Sequence, residues 1–412
     1  MNRLAAAKVG SVTDSFGDDG DDLRMGQDPF GTARRSPLLP GVFCAAADLH
    51  NHTRFSDGRG QAAEAFASLR SNGLDVAALT DHANFASGVG RPGGVPLAGW
   101  LNGIDGEAWK QTAELADLAD DPGRFVAIRG FEWSHPLLGH VNVWGSPDFL
   151  APTPSHDMRH LYDWLEGPGA DDSLASFNHP GSRGTVLRFG GFSHRQALTR
   201  RLVGLEMFNK RDDYLFAGVD DGARSPLVEC LSRGWRPGLI GVTDEHGKDW
   251  GRPEGKGRTG LFVRELTRDG VREALLARRT FATRLRGLRL AAVLTGADGV
   301  PVPMGGDVSA LPGRRSYSVT VDLDLGPGAV GLGLSVQLLR PGAVVPQVTE
   351  VARVVSGDAP STVDIDVDPR DGAWAVLRVS DPAGEVDPRA PAPYRHLGSS
   401  VAYTSPWWFT GT

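Results

Sequence analysis

The chain has 412 residues, of which 40% are hydrophobic and 23% charged, enough apolar material for one large and one smaller globular domain. The net charge of −7 argues against a protein built mainly to hold nucleic acid, without excluding nucleic acid as a partner, and the lack of any run of roughly 18 apolar residues argues against a transmembrane helix. Cys44 and Cys230 stand far apart and outside any CxxC pattern, so we expect reduced core thiols and a cytoplasmic location.

Residues 1–40 are polar and rich in Gly and Asp, and we expect a flexible tail rather than a signal peptide. From Val42 onward, apolar strand-like runs alternate with helical patterns. The predicted strands are Val42–Leu49, Leu74–Leu79, Arg124–Phe131, Leu174–Phe177, Leu202–Phe208 and Leu239–Val242. The predicted helices are Gln61–Arg70, Gly106–Leu118, His160–Leu165, Pro226–Ser232 and Arg268–Arg278. This alternation predicts an α/β fold with parallel strands joined by crossovers, in a barrel or an open sheet.

After about Thr283 the helical periodicity ends. Alternating segments such as Tyr317–Leu325, Leu334–Leu339 and Trp374–Val379 are separated by turns rich in Gly, Pro and Asp. Short strands of this kind predict a small antiparallel β-sandwich. We therefore expect an α/β domain over residues 41–285 and a β-sandwich accessory domain over residues 286–412. The pair Trp407-Trp408 can be a packing anchor or a partner surface, and we favour packing.

Metal-competent side chains follow the predicted strands. His50 and His52 come just after the first strand and two residues apart, so in extended backbone both point to one side. Asp57 follows in a turn and offers an oxygen ligand. The later strands run into Asp81-His82, Glu132, Asn178-His179 and Asp244-Glu245-His246. Because barrels and open α/β sheets place their active sites at the carboxyl ends of strands, we expect these side chains to converge on divalent metal ions.

The members of this set differ in how strongly the sequence supports them. Taken alone, His82 or His179 would more simply be a hydrogen-bonded core residue, and it is the recurrence at strand ends that favours metal ligation. Asp81 is interpreted as a turn residue or a support for the ligands. Glu245 is out of phase with its neighbours and is expected to point away from the metal ions.

One position stays open between two histidines. After the strand that reaches Glu132, either His135 or His140 can be the ligand, and the β-like sequence HVNVW favours His140. We interpret the remaining histidines as surface or core residues, namely His156, His160, His194 and His396.

In this order, the motifs HxHTxxSDG, TDH, GxE, NHP and Asp-x-His resemble those of the PHP superfamily, named after polymerase and histidinol phosphatase. The resemblance covers roughly residues 42–285 and includes the stretch Ala274–Thr283 near its end. It implies a distorted (β/α)₇ barrel with a trinuclear metal site, followed here by the β-rich accessory region. The superfamily includes phosphoesterases, exonuclease or proofreading domains and inactive relatives, and in this chain every ligand position is filled.

The resemblance also implies which ligands hold which ion. The first ion would be held by His50, His52, Glu132 and Asp244. The second would share Glu132 as a bridge and be held by His140 and His179. The third would be held by Asp57, His82 and His246, at a place where the family often has His instead of Asp57.

The implied ligands are six imidazoles and three carboxylates, a mixture that suits two or three Zn²⁺, Mn²⁺ or Fe²⁺ ions. Such ions activate water for in-line attack at phosphorus, so we predict hydrolysis of a phosphate mono- or diester in a small phosphorylated substrate. Glu132 and Asp244 would serve this reaction as metal-holding carboxylates, and Arg183 as a cation for the non-bridging oxygens. Other candidate cations are Lys210, Arg211 and Lys248.

The Gly- and Pro-rich loop 85–105 directly follows His82, and we interpret it as a lid that shapes the substrate site, with Trp100 able to stack on a ring. Two other functions stay open. One is metal-dependent hydrolysis of a non-phosphate ester or amide, since water activated by metal ions also attacks carbon. The other is a non-catalytic module whose β-rich region binds a partner.

Overall fold

The computed structural model describes residues 34–85, 103–182, 186–252, 255–296, 298–309, 313–326, 332–357, 359–368 and 373–410. Its helices are α1 (Ala62–Ser71), α2 (Gly106–Ala119), α3 (Met158–Glu166), α4 (Arg188–Phe192), α5 (Pro226–Ser232) and α6 (Arg268–Leu276). The first strands are β1 (Phe43–Asp48), β2 (Val76–Leu79), β3 (His82–Ala83), β4 (Val126–His135), β5 (Gly139–Trp144), β6 (Leu174–Phe177), β7 (Leu202–Asn209), β8 (Asp212–Asp213), β9 (Gly238–Val242), β10 (Arg258–Val263) and β11 (Thr280–Thr283). The later strands are β12 (Arg289–Thr295), β13 (Pro301–Pro303), β14 (Asp307–Ser309), β15 (Arg315–Asp324), β16 (Gly333–Arg340), β17 (Gln347–Val355), β18 (Ser361–Val367), β19 (Trp374–Asp381), β20 (Ser399–Thr404) and β21 (Trp407–Thr410).

The helices begin and pack as their sequences indicate. In α2, the side chain of Asp105 accepts hydrogen bonds from the backbone N–H groups of Glu107 and Ala108, which caps the first turn. Trp109 and Ala116 lie on the face of α2 that is buried, so the helix packs through one apolar stripe. No helix in the described ranges is long and apolar enough to cross a membrane.

One continuous ladder of hydrogen-bonded strands carries the α/β part of the fold. It runs in the order β10, β1, β2, β4, β5, β6, β7 and β9. The pairs β1–β2, β2–β4, β6–β7 and β7–β9 are parallel, as predicted, whereas β10–β1, β4–β5 and β5–β6 are antiparallel. β4 and β5 are joined by the short turn 136–138, which is too short for a crossover and forces the antiparallel arrangement.

The barrel that the family resemblance implies is not confirmed, because the sheet of the described residues does not close. In the described residues β9 forms no strand pairing with β1, and a single backbone bridge joins Asn51 to Glu245 beyond the ends of the two strands. The edge of β1 opposite β2 is taken by β10 along its length. β9 therefore cannot pair with β1 as a closed barrel requires, and its Gly241 N–H bonds the Thr259 hydroxyl instead.

A second β-rich region follows, as predicted from the change of pattern after Thr283. β12, β13, β15 and β18 form a four-stranded antiparallel sheet. The strands β16, β17, β19 and β20 instead extend the large sheet, since β20 pairs with β11 at Phe281 opposite Thr404. Side chains of both sheets share one buried apolar cluster that includes Leu290 and Val336. A self-contained sandwich is therefore not confirmed, and the domain boundary at residue 285 stays a prediction.

Residues 34–40, placed in the tail from the sequence, contact the α/β part. Arg34 forms an ion pair with Asp75, and Leu39 is buried. Residues 1–33 lie outside the described ranges. The predicted tail therefore includes a short stretch that packs against the fold.

Candidate metal centre

The nine side chains singled out from the sequence meet near the carboxyl ends of β1, β2, β6 and β9 and on β4 and β5. They form overlapping groups of three or four residues, in each of which one ligand atom per residue lies within 4.8 Å of the others. The groups are His52, Asp57, His82 and His246; His50, His179 and Asp244; His50, His52 and Glu132; and His82, Glu132 and His140. The fold therefore brings the whole set together, and its role in binding metal stays a prediction.

The segment after β1 is tied to the segment after β9. The backbone N–H of Asp244 donates to the carbonyl of His50 at 2.9 Å, and that of His52 donates to Glu245 at 3.0 Å. Both imidazoles are fully buried, and their Nε2 atoms lie 3.0 Å apart. The two rings therefore point to the same place, as their spacing in extended backbone predicts.

Glu132 lies at the centre of the cluster, within β4 rather than beyond its end. The side-chain amide of Asn178 donates to Glu132 Oε1 at 2.9 Å and helps to orient the carboxylate. The two carboxylate oxygens lie 2.7–3.5 Å from ring nitrogens of His50, His52, His82, His140 and His179. The bridging role that the family resemblance implies for Glu132 stays a prediction.

Two further carboxylates lie on either side of His52. Asp57 Oδ1 lies 3.6 Å from His82 Nε2 and 3.4 Å from His246 Nε2, so these three residues gather as implied for the third ion. Asp244 Oδ1 lies 3.2 Å from His52 Nε2, on the side of the ring that faces Glu132. The ligand groups consequently overlap at His52 and Glu132 rather than forming separate sites.

His179 and Asp244 have left-handed backbone, with φ of 27° and 47°. Residues other than glycine adopt this conformation at a cost, and it is concentrated at functional sites. Both residues follow the last residue of their strand by two positions, in β6 and β9. The sharp change of chain direction there turns each side chain into the cluster.

Of the two histidines that the sequence left open as ligands, His140 lies in the cluster and His135 does not. His140, on β5, has its Nδ1 3.2 Å from Oε1 of Glu132. His135, at the end of β4, has its Nδ1 3.1 Å from the backbone nitrogen of Leu138, from which it accepts a hydrogen bond. The cluster therefore includes His140, whereas His135 stabilises the β4–β5 turn.

Asp81 and Glu245, which the sequence set apart from the ligands, make other contacts. The carboxylate of Asp81 accepts hydrogen bonds from the backbone N–H and the hydroxyl of Thr53, both at 2.7 Å. It thereby holds the loop that carries Asp57. Glu245 forms an ion pair with Lys256.

Glu206, on β7, is a functional candidate that sequence reasoning missed. Its side chain is fully buried, and Oε1 lies 2.8 Å from Nδ1 of His50. The other oxygen accepts the backbone N–H of His179 at 2.6 Å. A carboxylate behind a ligating imidazole fixes the ring orientation and its tautomer. The available signal was a single acid inside the otherwise apolar run Leu202–Phe208, since acidic side chains are rarely buried without partners.

Burial and neighbouring charges shift the pKa values of several titratable groups in the cluster. Burial lowers the pKa of His50, but the carboxylates of Glu132 and Asp244 outweigh this effect and raise it well above its usual value. Burial likewise lowers the pKa of His82, whereas neighbouring carboxylates raise it, to about 9. For Glu132, burial raises the pKa, but the surrounding imidazoles hold it well below its usual range. Burial, together with two nearby imidazoles, lowers the pKa of His52.

Several buried polar atoms of the cluster make no hydrogen bond of good geometry with the described residues, although ring nitrogens lie close to some of them. They are Nδ1 of His52, Oδ1 of Asp57, Oε2 of Glu132 and Oδ1 of Asp244. Buried polar atoms without partners cost free energy and are uncommon in folded proteins. Unpaired nitrogen and oxygen atoms in one cluster fit divalent cations, which would take them as ligands.

Lys210 is the predicted cation that the described chain brings to the cluster. Its Nζ lies 3.0 Å from Oδ2 of Asp244, and its side chain is half-exposed. Arg211 is the next residue and is exposed, and Lys248 pairs with a carboxylate on α1. Arg183 lies outside the described residues.

Most of the predicted lid, residues 86–102 with Trp100 among them, also lies outside the described residues. Its last part is described from residue 103 onward. The backbone N–H of Ile104 donates to the carbonyl of His82 at 2.8 Å. The loop therefore ends beside the strand end that carries a candidate ligand.

No known protein-family profile matches the chain, and no curated protein matches it. Among solved structures, a two-domain protein from Bacteroides vulgatus, described as containing a predicted PHP-like metal-dependent phosphoesterase, is 18% identical with a TM-score of 0.45, over 89% of this chain and 97% of its own. A protein from Bifidobacterium adolescentis, provisionally described as a metal-dependent phosphoesterase, is 17% identical with a TM-score of 0.33, over 56% and 95%. An amidohydrolase from Chromobacterium violaceum, with bound sulfate and no metal, is 16% identical with a TM-score of 0.25, over 49% and 87%.

The motifs in the sequence and the cluster in the fold involve the same residues. Separate segments carry the PHP motifs in order, and each of them supplies side chains to one buried centre. The chain therefore resembles the PHP superfamily in its ordered motifs, and the described fold brings the candidate ligands of these motifs together.

Proposed function

We propose that the chain is a metal-dependent phosphoesterase that hydrolyses a phosphate mono- or diester in a small phosphorylated substrate. The observation that carries the proposal is the convergence of six imidazoles and three carboxylates on one buried centre, with the Lys210 ammonium at its edge. Imidazole and carboxylate ligands together suit two or three Zn²⁺, Mn²⁺ or Fe²⁺ ions. A cation beside such a centre is suited to the charge on phosphoryl oxygens.

Divalent ions held by these residues would supply an activated water and neutralise charge on the phosphoryl group. Glu132 would help to hold the neighbouring ligands in place, because its two carboxylate oxygens contact imidazoles that come from three separate segments of the chain. Asp244 would hold an ion through Oδ1 and hold the Lys210 ammonium through Oδ2. Lys210, half-exposed, would reach a non-bridging oxygen of the substrate.

The test uses the full chain loaded in turn with Mn²⁺, Zn²⁺ or Fe²⁺, with three substrates: p-nitrophenyl phosphate, bis-p-nitrophenyl phosphate and p-nitrophenyl acetate. We expect cleavage of a phosphate ester with at least one metal. His52→Ala should lower kcat/KM by on the order of 1,000-fold, the scale seen when a residue of a catalytic unit is lost. The matched control is His160→Ala, since His160 is half-exposed and pairs with Asp157 away from the cluster.

The variant Lys210→Met distinguishes hydrolysis of a phosphate ester from hydrolysis of a carboxylic ester. The variant should lose about 100-fold in kcat/KM for the phosphate diester, the scale of losing one preorganised charge partner, with a much smaller loss for the acetate. Cleavage of the acetate alone by the parent protein would reject phosphoester hydrolysis in favour of carboxylic ester or amide hydrolysis. Bound metal without cleavage of any substrate would reject catalysis and support a binding module.

A further inference from the structure

Lys210 lies in a tight turn between β7 and β8. Phe208 pairs with Asp213, and Asn209 pairs with Asp212, so that Lys210 and Arg211 form the tip of a short hairpin. We refer to residues 208–213 as the lysine hairpin. β8 has two residues and pairs with the end of β7 through two residue pairs, and so short a strand provides little stability by itself. The position of the Lys210 ammonium beside Asp244 therefore depends on what holds the hairpin.

The C-terminal β-rich region holds the lysine hairpin through Tyr403. The phenol oxygen lies 2.9 Å from Oδ2 and 3.1 Å from Oδ1 of Asp213, so the hydroxyl donates to this carboxylate. Tyr403 is fully buried on β20 and Asp213 is nearly so. Burial, with the nearby Asp213 carboxylate, raises the pKa of Tyr403 well above its usual value, so that the phenol keeps its proton as a donor. A hydrogen bond from a phenol to a buried carboxylate is among the stronger ones in proteins.

Two arginines hold the backbone of the same hairpin. Arg389, in the segment before β20, donates from its guanidinium to the carbonyl of Asp213 at 2.8 Å. Arg284, just after β11, donates to the carbonyl of Arg211 at 2.9 Å, and its guanidinium lies 4.5 Å from the ring centre of Phe208. The hairpin is thus held at its tip, at its base and on its aromatic face.

We infer that Tyr403 and Arg389 are positioning residues that hold the lysine hairpin so that the Lys210 ammonium faces the metal centre. This inference rests on the proposed function for its catalytic consequence. It gives the C-terminal region a part in the reaction without any residue of that region touching substrate. The effect is transmitted through Asp213, whose side chain bonds Tyr403 and whose carbonyl bonds Arg389.

The chain provides a matched control for Tyr403→Phe. Tyr394 is also buried in the C-terminal region, and its hydroxyl donates to the carbonyl of Pro346 at 2.9 Å. Tyr394→Phe therefore removes one buried phenol hydrogen bond without touching the hairpin. Arg389→Met is a second variant, which removes the contact to the Asp213 carbonyl and serves if Tyr403→Phe fails to fold.

The first measurement is hydrogen–deuterium exchange of peptides that cover residues 208–213 in the metal-loaded full chain. Tyr403→Phe and Arg389→Met should raise exchange in the hairpin by about tenfold, as expected when a local opening becomes easier, while Tyr394→Phe leaves it unchanged. This measurement does not require the protein to cleave any substrate. Unchanged exchange in both Tyr403→Phe and Arg389→Met would overturn the inference, even if the protein proves not to cleave phosphate esters.

The second measurement is a double-mutant cycle on cleavage of bis-p-nitrophenyl phosphate. Tyr403→Phe should lower kcat about tenfold, with KM and metal content near the parent values. The reason is that a less well positioned Lys210 ammonium would stabilise the transition state less. In the Lys210→Met background, Tyr403→Phe should cause no further loss, since both changes act through one ammonium group. The same tenfold loss in that background, or a loss of metal, would reject action through Lys210.

Discussion

Glu206 ties two candidate ligands to one buried carboxylate. It contacts the imidazole of His50 with one oxygen and the backbone of His179 with the other. It also accepts a hydrogen bond from the side-chain amide of Asn209 at 2.9 Å. The orientation of His50 therefore depends on a residue that would not itself bind a metal ion.

Glu206→Gln tests this dependence. The amide keeps the shape of the side chain but removes the charge that fixes the His50 tautomer, so the affinity for Zn²⁺ should fall by about 10- to 100-fold. Competition with a chromophoric chelator measures the affinity. Glu229→Gln, whose carboxylate pairs with Arg188 away from the cluster, is the control and should leave the affinity unchanged. Equal affinities of the Glu206 and Glu229 variants would contradict this role.

The protonation of His82 predicts a pH dependence of metal binding. Burial lowers its pKa, but the carboxylates around it raise the value to about 9, so the metal-free protein carries this proton at neutral pH. A metal ion must displace the proton, so the apparent affinity should rise as pH increases toward about 9. Titration with Zn²⁺ in a weakly buffered solution measures the protons released. An affinity that does not change between about pH 7 and 9 would contradict the assignment of His82 as a ligand.

At the scale of elements, the contact between the ends of β1 and β9 positions ligands from both. Asp48, the last residue of β1, is fully buried and accepts hydrogen bonds from the backbone N–H of Thr243 at 3.1 Å and from its hydroxyl. Thr243 directly precedes Asp244. These bonds replace the continuous ladder that a closed barrel would have here.

Thr243→Val removes the hydroxyl and leaves one buried carboxylate oxygen without this donor. The free energy of unfolding in urea should fall by about 1–3 kcal/mol, and metal affinity should fall with it. Thr362→Val is the control, because its hydroxyl pairs with Thr320 on an exposed face of β18 and its loss should cost less than about 0.5 kcal/mol. Equal costs for the two variants would show that the Asp48 contact does not support the site.

Hydrophobic periodicity predicted most helices and strands of the α/β part, because burying one face of a helix or strand requires a pattern of apolar residues within that segment alone. The predicted strand Leu174–Phe177 and helix Pro226–Ser232 have the bounds observed for β6 and α5. The place of β10 beside β1 could not be predicted, because hydrogen-bond partners far apart in sequence decide it. The same reason explains why Glu206 was missed, since its partner His50 lies 156 residues away in sequence.

At the scale of the whole molecule, the C-terminal region continues the large sheet and packs against it. Trp407 is fully buried, and its indole N–H donates to the carbonyl of Val302 at 2.9 Å. It belongs to the apolar cluster that contains side chains of both sheets. The pair Trp407-Trp408 is buried in the described fold, in keeping with its predicted use in packing.

Trp407→Ala should lower the free energy of unfolding by about 3–5 kcal/mol, as expected for a large aromatic side chain removed from a core. Thermal or urea unfolding of the metal-free protein measures the change. Leu118→Ala is the control, since that side chain is 82% exposed and its loss should have little effect. A loss below about 1 kcal/mol in the free energy of unfolding for Trp407→Ala would show that this side chain contributes little to the stability of the core.

The sequence by itself determined the nine candidate ligands, the alternating α/β elements and the change to a β-rich region after Thr283. These depend on residue chemistry, spacing and local periodicity, which are all properties of short segments. Only the tertiary structure decided that His140 rather than His135 joins the cluster and that the sheet stays open. It also decided that Glu206 supports His50 and that Tyr403 holds the lysine hairpin. Each of these depends on which distant segments pack together, and no local pattern records that.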